Sequence, residues 1–413
     1  MPPSTTSTKP GVGGVLQLNM IGMQDTHLYQ TSDTSEGGHH RFFDQRWTQS
    51  TRFATVQKTV PSALPFGLTT KVVIPKRGDL LGNLALSITL PAIPGASIDD
   101  YWRERVGYIL MRKLRIILND VELDSSERLW LSLQDDLFIQ KSKKAGVDDM
   151  IGRAGMRLSE EHTIVVPLKF FCCYKPGQRQ TFLPLLSNTG QNSLVLEMEL
   201  ESFANCVTSY DGKFAPKDLA ADLIADYVFL DEEDKNEIIN RETPLLCEVV
   251  QDCEATSFRE TLDGVGGDTI IPTGMVRVDL SEVNFPVKLI VFVAYSVDAV
   301  TQGKYFQYED VIDTASLKFD GWERTQYQTA DLYSLVQTWH HTPNCIKDHV
   351  YVYSFAMDAA NSQPNGHFTF SHVRKPLLYV TLKQPRDDIV VKAFLLGYRY
   401  VNFRGGDAQV SYI

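Results

Sequence analysis

Short runs of β-branched and aromatic residues recur along the chain from residue 51 onward, and turns rich in Pro, Gly, Asn and Asp separate them. Several runs alternate apolar and polar positions, as in Met275–Leu280, with the period of two that is typical of a strand covered on one face. The pattern therefore predicts a chain built mainly of strands. The predicted strands are Arg52–Val60, Thr69–Ile74, Leu84–Leu90, Leu114–Leu118, Thr163–Phe171, Leu194–Leu200, Leu223–Leu230, Glu248–Phe258, Met275–Leu280, Val287–Tyr295, Ala315–Phe319, His349–Met357, Phe368–Ser371, Leu377–Leu382 and Ile389–Phe403.

Helical periodicity is confined to short stretches. Ser126–Phe138 begins with a Ser side chain that can cap a helix, and Gln328–His341 carries apolar residues at helical spacing, among them Leu335 and Trp339. Residues 1–20 develop no periodicity and are punctuated by Gly, so we expect them to form a flexible arm.

Five predicted elements in the first half recur in the same order in the second half, at offsets of about 201 to 205 residues. The residue identities are low, so the similarity is one of pattern. We interpret the chain as two copies of one β module, joined near Ser209–Asp218, where Asp211-Gly212 and Pro216 interrupt the periodicity. The matched pairs are Arg52–Val60 with Cys253–Glu260, Thr69–Ile74 with Gly274–Asp279, Leu84–Leu90 with Val287–Val293, Leu114–Asp120 with Ala315–Gly321, and the helix that starts at Ser126 with the one that starts at Thr329.

A module of about 200 residues with roughly eight strands and few helices packs best as a sandwich of two sheets. Uneven strand spacing and long connections favour a jelly roll over a meander, and another Greek-key sandwich stays open at this point. The sequence thus predicts an all-β fold of two tandem eight-stranded jelly rolls with short helical inserts in the connecting loops. The predicted boundaries are an arm at residues 1–20, a first jelly roll at 21–210, a linker at 211–218 and a second jelly roll at 219–413.

The composition supports two folded units and argues against nucleic-acid binding. The 413 residues are 43% hydrophobic and 22% charged, which allows each half to bury a core. The 40 Lys and Arg face 51 Asp and Glu, a net charge of −11, whereas a protein that wraps nucleic acid needs basic stripes. We therefore expect no direct contact with nucleic acid. The densest basic run, Lys141–Lys144, is expected to be a solvated loop.

The chain shows no sign of membrane insertion or secretion. Residues 1–14 lack the apolar core of a signal peptide, and the most apolar uncharged stretch, Leu289–Val297, has nine residues where a membrane span needs about 20. No Asn-x-Ser/Thr sequon occurs, so N-linked glycosylation has no acceptor. The six cysteines form no CxxC pair, and buried free thiols are favoured over metal or disulfide chemistry.

Two tandem jelly rolls also raise the hypothesis of a metal-dependent enzyme of the bicupin type, whose barrels hold metal through an H-x-H pair with a Glu and a further His. None of the nine His forms H-x-H, and the adjacent pairs His39-His40 and His340-His341 are poor chelators. The adjacent carboxylates Asp99-Asp100, Asp135-Asp136 and Asp387-Asp388 diverge, which argues against a glycosidase pair. We interpret Asp231–Asp234 as an acidic first turn of a helix.

No nucleophile elbow, Walker A loop or dinucleotide-binding glycine motif occurs, and the Gly-rich segment Gly264–Asp268 is expected to be a turn. Arg77-Gly78-Asp79 is a tripeptide that binds integrins when exposed, but between two strands it is better explained as a turn in which Gly supplies a positive φ. The sequence therefore predicts no catalytic, cofactor-binding or metal-binding residues, no cofactor and no enzyme activity.

A series of short motifs occurs in a fixed order over almost the whole chain. They are Gly22-Met23-Gln24-Asp25 with Leu28, Arg46 with Thr48, Phe53-Ala54, Arg77–Leu81 entering Leu84–Pro91, Val106-Gly107-Tyr108, Lys113–Asp124, Pro167-Leu168 with Phe170–Cys172, Leu183–Leu185, Tyr333–Trp339, Tyr353–Ala356, Gln363-Pro364 with Gly366, Phe370-Ser371, and Tyr400 with Asn402, Arg404 and Gly405-Gly406. Each motif is weak alone, but their order from about residue 14 to the end is specific. It resembles that of the major capsid proteins of nucleocytoplasmic large DNA viruses, with iridovirus-like and phycodnavirus-like features.

The chain departs from the family in two respects. It is short for the family, which implies reduced surface loops, and His372 stands where many members continue Arg-Ile-Asp after Phe-Ser.

The resemblance implies a structural protein that forms homotrimers, which act as pseudo-hexameric capsomers in the icosahedral shell of a large double-stranded DNA virus. The expected partners are further copies, neighbouring capsomers, and minor capsid and penton proteins, with an inner viral membrane in proximity. The expected location is the virion shell, assembled in the host-cell cytoplasm. The alternatives are a double-jelly-roll scaffold or minor capsid protein and, less favoured, the bicupin-type enzyme.

Overall fold

A computed structural model describes residues 52–173, 181–185, 194–208, 214–240, 244–257, 259–262, 269–272, 274–346, 348–404 and 407–411. The predicted arm at residues 1–20 and the predicted turn Gly264–Asp268 lie outside these ranges. Strands dominate the described chain. They are β1 (Phe53–Pro65), β2 (Thr69–Ile74), β3 (Leu80–Leu90), β4 (Tyr101–Trp102), β5 (Met111–Leu118), β6 (Val121–Glu127), β7 (His162–Pro167), β8 (Leu183–Pro184), β9 (Leu194–Leu200), β10 (Val207–Thr208), β11 (Asp218–Leu230), β12 (Leu245–Thr256), β13 (Arg259–Leu262), β14 (Thr269–Pro272), β15 (Met275–Asp279), β16 (Pro286–Ser296), β17 (Ile312–Phe319), β18 (Trp322–Thr329), β19 (Val350–Ser354), β20 (Phe368–Thr369), β21 (Pro376–Leu382), β22 (Ile389–Arg404) and β23 (Asp407–Ser411).

The helices are short and lie in the connections between strands. Within the described part of the chain, none is both long and apolar enough to cross a membrane. They are α1 (Val106–Leu110), α2 (Arg128–Phe138), α3 (Lys141–Ile151), α4 (Phe203–Cys206), α5 (Glu232–Ile239), α6 (Val297–Thr301), a π-helix (Leu332–Val336), α7 (Gln337–His341) and a 3₁₀ turn (Phe370–His372).

The first module consists of two antiparallel sheets. Sheet 1A has the order β1-β11-β3-β7, with β8 added to β3, and sheet 1B has the order β2-β9-β5-β6. When the eight main strands are numbered along the chain, these orders are 1-8-3-6 and 2-7-4-5. Strands adjacent in sequence therefore fall mostly in different sheets, which is the jelly-roll topology.

The second module repeats this topology. Sheet 2A has the order β12-β22-β16-β19, with β20 and β23 added at its margins, and sheet 2B has the order β15-β21-β17-β18. Numbered along the chain, the main strands again follow 1-8-3-6 and 2-7-4-5. The prediction of two tandem jelly rolls is confirmed.

The turn between the fourth and fifth strands has the same conformation in both modules. Asn119 and Asp120 have φ of 49° and 64°, and Asp320 and Gly321 have φ of 50° and 87°. Two consecutive residues with positive φ make the type I′ turn, whose twist matches that of the strands it joins. The internal repeat therefore extends to backbone conformation, although the two sequences differ.

The predicted boundary between the modules is wrong. Residues 211–218 were expected to link them, but β11 begins at Asp218 and pairs with both β1 and β3, so it completes the first module. The loop with Pro216 interrupts the pattern inside the module and not after it. The modules are joined by the segment between Leu230 and Leu245, which contains α5.

The repeat is correct for four of the five matched pairs and displaced for the first. The first strands of the two modules are β1 and β12, whose starts at residues 53 and 245 differ by 192 and not by 201. The connection between the first and second strands is longer in the second module and contains β13 and β14, which explains the shift.

Two main strands, β6 and β18, were not predicted. Both are edge strands, of sheets 1B and 2B, and both are rich in polar residues. An edge strand with polar side chains carries little of the apolar pattern from which strands are recognised. In the hairpins β5–β6 and β17–β18, the sequence therefore predicts only the first strand and the turn.

Two helix predictions and one loop prediction had different outcomes. Ser126 lies in β6 and does not cap α2, which begins at Arg128 without a side-chain cap. The basic run Lys141–Lys144 opens α3 and is not a loop. The acidic first turn is confirmed, since Asp231 accepts a hydrogen bond from the Glu232 backbone amide at 2.8 Å and α5 follows.

Gly397 shows how closely the second jelly roll is packed. A Cβ atom at this position would lie 2.1 Å from the Pro286 carbonyl oxygen and 2.6 Å from the Phe285 ring. The strand pairing is irregular at the same point, between Val287 and Leu289 of β16. Only glycine allows β16 and β22 to approach this closely.

We predict that Gly397→Ala lowers the free energy of unfolding by about 3 kcal/mol, because the methyl group displaces backbone and ring atoms. The matched control is Gly146→Ala, in the interior of α3, where an added Cβ meets nothing within 4 Å. That change is expected to stabilise by roughly 0.5–1 kcal/mol. Thermal and denaturant unfolding of both variants check the pair. Equal melting of Gly397→Ala and the wild type would contradict the packing described.

Candidate assembly surfaces

The described residues do not form a metal centre: no group of three or more His, Cys, Asp and Glu among them is arranged to hold an ion. His340 and His341 end α7, and the ring of His341 lies 3.0 Å from the Met357 carbonyl through Nδ1. His39-His40 lies outside the described residues. The adjacent histidines therefore do not converge with other ligands.

The adjacent carboxylates of Asp135 and Asp136 diverge, as predicted for that pair. Asp135 accepts a hydrogen bond from the Tyr108 hydroxyl at 2.6 Å and pairs with Lys169, whereas Asp136 pairs with Arg105 at 3.0 Å. Each carboxylate thus neutralises a different cation within the first module.

The cysteines are free, and the prediction of buried thiols holds for five of them. Cys345 is the exception, since it is exposed. Burial raises the pKa of Cys253 to about 12, so its thiol stays protonated and behaves as a small apolar group. The buried five are Cys172, Cys173, Cys206, Cys247 and Cys253.

Arg77-Gly78-Asp79 is a structural turn between β2 and β3. Asp79 accepts a hydrogen bond from the Leu230 backbone amide at 2.9 Å, and its carboxylate lies 3.2 Å from Lys235 Nζ. Gly78 does not adopt positive φ, contrary to the prediction; an added Cβ there would lie 2.7 Å from the Tyr227 Cβ. Close packing, and not turn geometry, explains the glycine.

The most extensive apolar surface outside the two barrels lies between the modules. One face of α2, which projects from the first module, packs on the outer face of sheet 2A. Trp130 contacts Phe394 with ring centroids 5.6 Å apart. The contact forms a third apolar core, separate from the two inside the jelly rolls. Its buried members include Leu129, Trp130, Leu133, Leu137 and Phe138 from α2, and Leu289, Val291, Val293, Val350, Val352, Phe394 and Leu396 from sheet 2A.

This contact explains the continuous apolar sequences of β16 and β22. In β16 every position but one is buried, because the jelly-roll core covers one face and α2 covers the other. A strand covered on both faces has no need of polar alternation. The equivalent strand of the first module, β3, alternates between buried and half-buried positions, since nothing in the described chain covers its outer face to the same extent.

A buried cation marks the edge of the intermodule contact. Lys392 on β22 reaches Glu127, at the start of α2, with a distance of 2.6 Å, and lies 3.0 Å from Asp252 and 3.4 Å from Glu254. Burial disfavours the charged ammonium, but attraction to Glu127 and Asp252 outweighs it and raises the pKa of Lys392 above its ordinary value. Lys392 therefore remains charged and ties the two modules together electrostatically.

A second polar contact joins the modules through Arg128. Its guanidinium donates to Glu201 at 2.7 Å and stacks on the ring of Tyr305, which belongs to the second module, at 3.8 Å from the centroid. Burial opposes ionisation of Glu201, but hydrogen bonds from Arg128, the Ser202 amide and Asn205 outweigh it and lower the pKa of this carboxyl. Glu201 therefore stays ionised, and its bond to Arg128 fixes the start of α2.

The end of α2 is held in the same way. The Asn344 side-chain amide, in the second module, donates to the Asp136 carbonyl oxygen at 3.1 Å and to that of Ile139. These carbonyls are among those that a helix leaves without partners at its C-terminus. Both ends of α2 are thus bonded to the other module, and the two jelly rolls form one rigid unit.

Two jelly rolls of one topology, packed side by side, are also the fold of solved viral capsid proteins. A subunit of the PBCV-1 virus capsid matches with a TM-score of 0.74 at 18% identity, over 90% of this chain and all of that one. The Faustovirus major capsid protein matches with a TM-score of 0.68 at 12% identity, over 88% and 92% of the two chains.

The sequence comparisons identify the family. The family model described as the N-terminus of the major capsid protein matches residues 41–231, and that of the large eukaryotic DNA virus major capsid protein matches residues 247–394. The chain belongs to the family of major capsid proteins of large eukaryotic DNA viruses. The interval between the two matches coincides with the segment that joins the modules in the structure.

Full-length relatives agree. The major capsid protein of Pyramimonas orientalis virus is 24% identical over 97% of this chain and 99% of its own length. That of Paramecium bursaria Chlorella virus 1 is 22% identical over 93% and 91%.

We predict that Trp130→Ala lowers the free energy of unfolding by about 3–5 kcal/mol and splits one calorimetric transition into two, because the modules lose their shared core. The control is Ile98→Ala, an apolar truncation at a side chain that is 70% exposed, with an expected effect within about 0.5 kcal/mol. Differential scanning calorimetry measures both. A single unshifted transition for Trp130→Ala would show that α2 does not couple the modules.

We predict that the two charged residues of the tripeptide turn contribute unequally to stability. Asp79→Ala should cost about 1–3 kcal/mol of stability, since it removes the acceptor of the Leu230 amide and the partner of Lys235. Arg77→Ala, at an exposed side chain, should change stability by less than about 0.5 kcal/mol. Thermal melts distinguish them. A receptor-binding tripeptide would instead lose cell attachment equally in both variants, with no change in melting.

Proposed function

We propose that the chain forms homotrimers that act as pseudo-hexameric capsomers and tile the icosahedral shell of a large double-stranded DNA virus. The observation that supports this most is the rigid pairing of two modules with one strand order. Three such chains around a threefold axis place six similar jelly rolls in a ring, and a ring of six has the nearly hexagonal outline needed to cover a flat facet.

The physical demands of a shell agree with the features of the chain. A facet is held by many repeated contacts between edges, so its units need stiffness more than reactive groups. Here stiffness comes from the α2 contact and the ionic ties at Lys392 and Arg128. The relatives are named as capsid proteins, and nothing in the proposed role requires catalysis or a cofactor.

The proposed partners follow from this role. They are two further copies within the capsomer, neighbouring capsomers, and minor capsid and penton proteins at the facet edges and vertices. The net charge of −11 makes direct wrapping of the genome unfavourable, so the proposal places the protein in the virion shell, next to an inner membrane and not on DNA. Assembly is proposed to take place in the host-cell cytoplasm.

Within the capsomer we expect each pair of subunits to bury more than roughly 2,000 Å², the scale of obligate oligomers. Contacts between capsomers should be smaller and wetter, so that misplaced units can dissociate.

The measurement that tests this proposal is the native mass of the purified protein. A trimer has a mass of 139.8 kDa, three times the 46.6 kDa of one chain, and we expect that species by light scattering or native mass spectrometry at micromolar concentration. Negative-stain images should show a hexagonal outline. A stable 46.6 kDa monomer that never associates would refute the capsomer, and absence of the chain from purified mature particles would favour a temporary scaffold.

A further inference from the structure

The segment between β18 and β19, which we call the second-module insert (residues 330–341), carries an apolar face without a partner in the described chain. Its inner side is anchored, since Tyr333 is buried and donates to the Ala315 carbonyl at 3.1 Å. On its outer side Leu335, Val336 and Trp339 are 37%, 43% and 72% exposed. Leu335 and Val336 both adjoin Trp339 on one helical face, because residues three and four apart are neighbours there.

The same position in the first module is occupied by α2, between its fifth and sixth main strands. There Leu129, Trp130 and Leu133 have the same spacing, and they are only 6%, 3% and 0% exposed. Sheet 2A covers them. Each insert thus carries an apolar face with this spacing, and the face of α2 is covered within the chain.

The strands beside the inserts show the same contrast. Strand β6 lies against β12, and one of its seven residues is exposed. In β18, the equivalent strand of the second module, six of the eight residues are exposed. Three of the twelve residues of β12 are exposed, whereas eight of the thirteen residues of its equivalent β1 are exposed. In the described part of the chain, β1 and β18 are therefore more exposed than β12 and β6, their equivalents in the intermodule contact.

We propose that the second-module insert of one copy docks on the outer face of sheet 1A of the next copy, with β18 placed beside β1 of that copy. The contact repeats between two chains what α2 and sheet 2A do within one. It rests on the proposed trimer and specifies which surfaces form it. Since the donor and receiving surfaces differ, the contact is heterologous, and three copies close it into a ring in which every junction is alike.

The receiving face is suited to bulky side chains. The alternation of β3 places Ala85, Ser87 and Thr89 on the outer face, and their neighbours on β11 include Ala220 and Ile224. Small side chains leave room for Trp339 and for Met357, which is 80% exposed and adjoins α7 through His341. This face also carries Asp222 and Asp226, which keep it compatible with water before the copies meet.

Site-specific photo-crosslinking tests the surfaces directly. Trp339 is replaced by p-benzoylphenylalanine in the full chain, trimers are isolated, irradiated and digested, and crosslinked peptides are identified by mass spectrometry. Mixing with ¹⁵N-labelled copies separates bonds between chains from bonds within one. We expect crosslinks to β1, β3 or β11 of another copy, and none to these strands from the same photoreactive residue at Ile98.

A second experiment measures the strength of the contact. Trp339→Asp should raise the trimer dissociation constant at least about 30-fold, as for a central aromatic side chain of an interface, and Trp339→Phe should retain most of the affinity. Ser87→Arg, on the receiving face, should have an effect similar to that of Trp339→Asp. Ile98→Asp is the matched control and should leave assembly unchanged. Mass photometry gives the dissociation constants, and unchanged thermal melting of the monomer excludes misfolding.

The outcomes separate this inference from the proposed function. Trimers that crosslink from position 339 to sheet 1A of another copy support both. Trimers whose crosslinks fall elsewhere, or that tolerate Trp339→Asp, overturn the docking surface and leave the capsomer intact. A protein that never forms trimers overturns the capsomer and the docking surface together.

Discussion

The packing of α2 on the outer face of sheet 2A is the interaction on which the rest of the structure depends. A jelly roll closes its own core, so two of them in one chain need no fixed relation to each other. Here the helix adds a third core between them. Charged groups at its start and the Asn344 amide at its end bind it across the junction. The relative position of the modules becomes a property of the fold, which is what a repeating shell requires of its unit.

The two modules share a topology but not a surface. In the second module β16, which faces α2, is buried on both sides, whereas the equivalent strand β3 of the first module alternates between buried and half-buried positions. The outer face of sheet 2A is covered when the chain folds, whereas the outer face of sheet 1A is proposed to be covered only when another copy binds. A face covered at once by its own chain can be apolar, but a face that stays in water until assembly needs polar side chains to avoid indiscriminate association.

Much of the fold could be predicted from the sequence. The bounds of Thr69–Ile74 and Leu194–Leu200 were correct because turn residues flank a clear alternation. The edge strands β6 and β18 were missed because their sequences are mostly polar. The module boundary was misplaced because a loop inside a module interrupts the pattern as a linker does. Of the intermodule site, the helix was predicted but its partner was not: Glu127 and Lys392 lie 265 residues apart, beyond any local pattern. The sequence feature that pointed to this contact was Lys392, a single charged residue within the apolar first part of β22.

The position of α2 in the first module also has a consequence for biosynthesis. The ribosome releases the helix long before it has translated β16 and β22, so the first jelly roll can fold and offer its apolar side as a template. When the second half is translated, α2 is already available to cover the apolar outer face of sheet 2A. If the order of the two halves in the gene were reversed, sheet 2A would leave the ribosome before α2 was made. Its apolar outer face would then be exposed to water.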